Sequence, residues 1–214
     1  MEFLSELIAL FLHLDTVLAD VIRQYGTLTY AFLFAVIFLE TGLVVTPFLP
    51  GDSLLFAAGA LSVTTDLSPF ILFLLLSVAA VLGDAANYTI GHKIGARAFD
   101  GSIKILKKEY LDKTHAFYEK HGNKTIVLAR FVPIVRTFAP FVAGVGKMTY
   151  WHFATYNIIG GVVWVALFTF AGYFFGEIPF VKENFEFVVI AIILVSILPG
   201  VFEWWKARRA NSPA

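Results

Sequence analysis

The chain has 214 residues, of which 58% are hydrophobic, 15% charged and 23 are phenylalanine, and its mean hydropathy is +0.78. Soluble domains are less apolar and more charged, and disordered chains much less apolar, so the composition indicates one compact all-α integral membrane domain. The 16 basic and 16 acidic residues cancel, which argues against a nucleic-acid partner, and the lack of cysteine removes disulfides, thiolate metal sites and thiol nucleophiles.

Residues 1–24 open without Lys or Arg before Arg23, so they do not read as a cleavable signal. Phe3, Leu4, Leu7, Ile8, Leu10, Phe11 and Leu14 recur at helical spacing. They predict an amphipathic helix on the membrane surface, with a packed first helix as the alternative. Residues 28–63 are apolar but interrupted by Glu40, Thr46, Pro47, Pro50, Gly51 and Asp52. Residues 69–91 predict a transmembrane helix, which needs about 20 apolar residues to cross ~30 Å of hydrocarbon. Residues 92–123 mix lysines with Ile105, Leu106, Tyr110, Leu111, Phe117 and Tyr118, the pattern of a cytoplasmic amphipathic connector.

Residues 124–146 are again apolar but carry Arg130, Pro133, Arg136 and Pro140. Divided into 124–136 and 137–146, their arms reach only about 20 Å and 15 Å, too short to cross. Residues 152–176 and 185–205 predict two further spans, the second closing on Trp204, Trp205, Lys206, Arg208 and Arg209.

Charge sets the orientation. Between Gly91 and Thr125 the bases Lys93, Arg97, Lys104, Lys107, Lys108, Lys113, Lys120 and Lys124 outnumber the acids. That segment and the C-terminus are therefore expected in the cytoplasm. Residues 124–146 then start and finish on one side and must enter and return. The same logic makes 28–63 a hairpin dipping in from outside, unless 28–45 itself spans. The expected architecture is an inverted repeat of two re-entrant helical hairpins, each followed by a transmembrane helix, with a C-terminal transmembrane helix and the N-terminal amphipathic helix added. Phe48–Asp52 with Ala57-Ala58-Gly59 loosely echoes Phe138-Ala139-Pro140 with Ala143-Gly144.

Charges within these apolar stretches each cost roughly 2.5–3.5 kcal/mol at a helix centre. Glu40, Asp52, Asp84, Arg130 and Arg136 are such charges. One reading pairs Glu40 or Asp52 with Arg130 or Arg136 merely to pin the hairpins, although buried pairs stabilise poorly. The other is a transport site. Arg130 and Arg136 offer forked donors for a phosphate, helped by half-helix N-termini after Pro50 and Arg136. Glu40 and Asp52 would handle protons. Burial favours the neutral acid and a nearby guanidinium favours the carboxylate, so the balance is open at this point. Asp52 has a second reading as a helix cap. Asp84, Tyr88 and Asn157 are accessory candidates, with Asp84, Asn87 and Tyr88 alternatively a polar helix end near the cytoplasmic interface. Asn157, Gly160, Gly161, Trp164 and Gly172-Tyr173 with Gly176 read mainly as packing positions. No metal-ligand motif, nucleotide loop or Gly-x-Ser-x-Gly elbow is present, so no metal and no cofactor is expected.

The run Phe38-Leu39-Glu40, then Phe48-Leu49-Pro50-Gly51-Asp52-Ser53-Leu54-Leu55 and Gly59, resembles the DedA (SNARE-associated, VTT-domain) family of bacterial membrane proteins. So do Gly83-Asp84 with Tyr88 and Gly91, and Arg130-Phe131 with Pro133, Arg136, Pro140, Ala143-Gly144, Met148, Phe153, Asn157, Gly160, Trp164, Gly172-Tyr173 and Gly176. The resemblance covers about residues 25–180. It implies a fold of paired re-entrant hairpins related to eukaryotic lipid scramblases, in the bacterial inner membrane. It also implies a non-enzymatic, proton-coupled flippase that recycles undecaprenyl phosphate, a polyprenyl phosphate lipid carrier. The family's essential acids would fall on Glu40 and Asp52 and its essential arginines on Arg130 and Arg136. The competing readings are a proton-coupled small-cation antiporter supporting envelope and pH homeostasis, and a non-transporting scaffold. A lipid phosphatase lacks a visible nucleophile beside a base.

Overall fold

A computed structural model describes residues 14–43, 51–95, 114–115, 118–119, 122–192 and 194. The described residues are almost entirely helical, without strands. The predicted segments at 1–13, most of 92–123 and 195–205, and the predicted break of the first hairpin at 44–50 with Thr46, Pro47 and Pro50, lie outside them.

Helix α1 (Leu14–Tyr25) buries Leu18 and Ile22, one turn apart, against the core. Gly26 ends it at φ +53, where the Gly26 amide closes the last turn onto the Ile22 carbonyl at 2.8 Å. Helix α2 (Leu28–Gly42) buries a single stripe of Thr29, Leu33, Ile37 and Glu40. Its 15 residues reach only about 22 Å, and Leu43 leaves it in extended backbone. Helix α3 (Gly51–Leu61) is buried all round from Gly51 to Ala60, so it lies inside the protein and away from lipid.

Ser68 accepts the Ile71 amide, and Pro69 follows at the first helical position to start α4 (Pro69–Ile94). Helix α7 (Tyr150–Phe175) is the other long helix. With 26 residues each, both are long and apolar enough to cross a membrane. On α4 the exposed residues Phe70, Leu74, Val78 and Leu82 form one apolar stripe, while Leu72, Leu76, Ala79, Ala80 and Gly83 face the core. That arrangement suits lipid on one side and protein on the other.

Between them lie α5 (Thr125–Ala129) and α6 (Pro133–Val145). The interruption falls at residues 130–132, earlier than the expected break after Arg136. Val132 is extended and Pro133 occupies the first turn of α6, where its missing N–H has no helical partner to lose. Arg136 therefore sits within the first turn of α6, and Pro140 lies inside the helix. After α7 come α8 (Pro179–Glu183) and a helical stretch over 185–192, whose Phe185 and Val189 are buried.

The packing is reciprocal. Helix α3 lies on α7 and α6 lies on α4, so the second short arm of each half rests on the long helix of the other half. Glycines set both crossings. A Cβ at Gly59 would strike the Thr169 carbonyl, and one at Gly172 the Phe56 carbonyl. At the other crossing a Cβ at Gly144 would strike the Tyr88 carbonyl, and one at Gly91 the Phe141 carbonyl. Small residues let the backbones touch, as in membrane helix pairs.

Candidate functional site

The last turn of α2, the first turn of α3 and the start of α6 come together. Glu40 ends α2 and Asp52 stands in the first turn of α3. Asp84 projects from α4, Arg130 from the break after α5 and Arg136 from the first turn of α6. The side chains of all five are at most 15% exposed.

Arg136 bridges the two acids of the first pair. Its Nη2 donates to Glu40 Oε1 at 2.5 Å and its Nη1 to Asp52 Oδ1 at 2.7 Å. Glu40 Oε1 also accepts the Gly51 amide at 3.3 Å, covering the first N–H of α3. The positive end of α3 is thus already served by Glu40 and Asp52. Conversely, Arg136 lies at the positive end of α6, a poor place for a cation, and turns to carboxylates instead.

Arg130 belongs to a second group. Its Nη2 donates to Asp84 Oδ2 and, at 2.6 Å, to Asn157 Oδ1. Asn157 is fixed in turn by its Nδ2 donating to the Val81 carbonyl at 3.0 Å. A Cβ at Gly160 would lie 3.1 Å from Arg130 Nε, and one at Gly161 3.3 Å from its Nη2. These two glycines leave the room that the guanidinium fills.

Trp164 joins the groups. Its Nε1 donates to Asp52 Oδ1 at 2.8 Å. Its ring faces Arg130 Cζ at 5.7 Å and Arg136 Cζ at 5.6 Å, both within cation–π range. Asn87 ties the ends of the two pairs to α4, with Nδ2 donating to the Thr41 carbonyl at 3.1 Å and the Thr137 carbonyl at 2.9 Å.

Glu40, Thr41, Asp84, Arg130, Arg136, Thr137 and Trp164 line a cavity of about 20 Å³. That holds one water and no phosphate. With Asp52 beside this lining, the carboxylates of Glu40, Asp52 and Asp84 face the guanidiniums of Arg130 and Arg136 among the described residues, and Glu40 Oε2 is buried without a hydrogen-bond partner among them. Among the described residues the cluster therefore has one more acid than base.

The structure brings together Glu40, Asp52, Asp84, Arg130, Arg136 and Asn157 from the predicted set. The pairing differs from the expected one: both Glu40 and Asp52 go to Arg136, and Arg130 goes to Asp84 and Asn157. Asp84 is thus no polar helix end. Tyr88 stands apart, its hydroxyl donating to the Met148 carbonyl and its ring stacked on Phe153 at 4.4 Å. The sequence reading missed Trp164 as a polar contact. The available signal was its position seven residues after Asn157, on the same helical face and beyond Gly160 and Gly161.

The VTT domain pattern matches residues 49–174, more than half of the chain. Protein DedA of Escherichia coli (strain K12) is 57% identical over 217 residues, covering 100% of this chain and 99% of its own. Uncharacterized membrane protein Rv0364 of Mycobacterium tuberculosis (strain ATCC 25618 / H37Rv) is 43% identical, covering 89% of this chain and 85% of its own. Inner membrane protein YqjA of Escherichia coli (strain K12) is 32% identical, covering 85% and 86%. No solved structure matches. The chain belongs to the DedA family of VTT-domain membrane proteins.

Proposed function

We propose that this DedA-family protein is a flippase of a polyprenyl phosphate lipid carrier, undecaprenyl phosphate, in the bacterial inner membrane, and that transport is coupled to protons. The C-terminus is cytoplasmic. The pairs α2–α3 and α5–α6 act as re-entrant hairpins of opposite orientation, with α4 and α7 as spans. The carrying observation is Arg136, held at the meeting point of the two pairs by both Glu40 and Asp52.

The closed cluster is a self-inhibited anion site. A phosphate offers a guanidinium the same forked oxygens as a carboxylate. To bind, it must take Arg136 from Glu40 and Asp52, and the hairpins must separate to admit it, because the cavity holds only one water. Carboxylates left buried without their cation are costly, and protonation removes that cost. Phosphate on the arginine and a proton on an acid therefore favour the same open state, which couples the two. Arg130, with a side chain 5% exposed against 15% for Arg136, is the more enclosed of the two bases. The isoprenoid tail stays in lipid along the exposed apolar stripes of α4 and α7. No covalent bond is made or broken.

Undecaprenyl phosphate binding to the protein in nanodiscs tests this. Saturable binding that is lost in Arg136→Ala supports the reading; equal binding by the variant refutes it. The acid excess and the unpartnered Glu40 Oε2 favour a second reading, a proton-coupled small-cation antiporter. Proton-driven cation flux in liposomes free of polyprenyl phosphate would select it.

A further inference from the structure

We propose that Trp164 is a positioning residue that keeps Asp52 in place as a carboxylate when Arg136 leaves it for substrate phosphate, so that the accompanying proton goes to Glu40. The inference rests on the phosphate reading above and assigns different roles to the two acids.

Among the described residues, Asp52 Oδ1 accepts from donors of two different kinds. One is the charged fork of Arg136 at 2.7 Å, which the substrate competes for. The other is the neutral indole N–H of Trp164 at 2.8 Å, which no anion can remove by charge attraction. Trp164 is itself 1% exposed on the long helix α7, so the donor is held by the scaffold. The ring face remains beside Arg130 at 5.7 Å while its edge holds Asp52.

Glu40 is placed differently. When Arg136 departs, the remaining contact to its Oε1 is the Gly51 amide at 3.3 Å, and Oε2 has no hydrogen-bond partner. A carboxylate with a good donor stays charged more easily than one without. Among the described residues, the titratable groups facing the pair include Arg136 from α6, Asp84 from α4, and Arg130 beyond Trp164. Removing Arg136 from the pair leaves Glu40 as the acid with the weaker support.

Two measurements on the full chain test this. In protein labelled with 15N at the indoles, Trp164 is the Nε1–H signal absent from Trp164→Phe. In Arg136→Gln without any ligand, that signal should move downfield, as the indole becomes the stronger partner of Asp52. In Asp52→Ala it should move upfield to the position of an unbonded indole. A Trp164 signal indifferent to Asp52→Ala, or freed in Arg136→Gln, would overturn the proposal. A downfield shift in Arg136→Gln, together with a wild-type Trp164 signal that does not respond to farnesyl phosphate, would uphold Trp164 and count against the phosphate reading alone.

The second measurement is a double-mutant cycle on farnesyl phosphate binding in nanodiscs, which also decides the matter if Arg136→Gln does not fold. Trp164→Phe keeps an aromatic ring and loses the N–H, and should weaken binding about tenfold, the scale of one hydrogen bond to a charged group. In an Asp52→Asn background the same change should cost less than about twofold, since no charge then needs the donor. An equal loss in both backgrounds would mean that Trp164 acts by packing, and the proposal would fall.

Discussion

The Asp84–Arg130 pair predicts a stability effect that separates it from the Glu40–Asp52–Arg136 group. In Asp84→Leu the Arg130 guanidinium stays buried, with a side chain 5% exposed. It keeps Asn157 at 2.6 Å and the Trp164 ring at 5.7 Å but loses its carboxylate. Breaking one side of a buried pair costs about 3–5 kcal/mol. For a chain of this length, 1 kcal/mol moves Tm by about 2–4 °C, so Tm should fall by about 6–20 °C. Asp84→Asn retains an acceptor for Arg130 and should lose about half as much. The assay is thermal unfolding in detergent, followed by tryptophan fluorescence at one fixed scan rate. If Asp84→Leu melts within about 2 °C of the wild type, Arg130 is not held as described.

Three further outcomes follow from the same contacts. Arg136→Lys keeps the charge but cannot span Glu40 and Asp52 with one fork, nor clasp a phosphate at two points; polyprenyl phosphate binding should weaken at least about tenfold in nanodiscs. Asn87→Leu leaves the Thr41 and Thr137 carbonyls without their shared donor. Losing these two hydrogen bonds, at about 0.5–1.5 kcal/mol each, should lower Tm by several degrees in the same fluorescence scan. Gly172→Val forces α7 away from the Phe56 carbonyl of α3, costing about 1–3 kcal/mol. An unchanged melting curve would contradict the close crossing.

The charges at the centre were legible because their cost in apolar sequence is large. Glu40, Asp52, Arg130 and Arg136 stand out on that ground alone, and all four come together. Their partners were not legible. Arg136 meets Glu40 across 96 residues and Asp52 across 84, and Arg130 meets Asp84 across 46, so the pairing depends on how α2, α4 and α6 are set side by side. Arg136 offers its whole fork to the first pair because α6 begins at Pro133, and that moves the break four residues before the expected point. Both Pro133 and Pro140 are helix breakers by composition, but only Pro133 sits where a helix starts. Trp164 was read as a packing position because an indole in an apolar helix buries area wherever it stands; only its partner shows that the N–H matters. The glycine crossings were half visible. Gly59 and Gly144 appeared as echoes of each other, while their opposite numbers Gly172 and Gly91 lie on the long helices of the other half.

The central claim is that phosphate and carboxylate compete for Arg136. The most direct measurement is translocation of a fluorescent polyprenyl phosphate in proteoliposomes under an imposed pH gradient, for wild type, Arg136→Ala and Glu40→Gln. The account predicts gradient-dependent translocation by the wild type, none by Arg136→Ala, and translocation that no longer responds to the gradient in Glu40→Gln. Translocation by Arg136→Ala at the wild-type rate would contradict it.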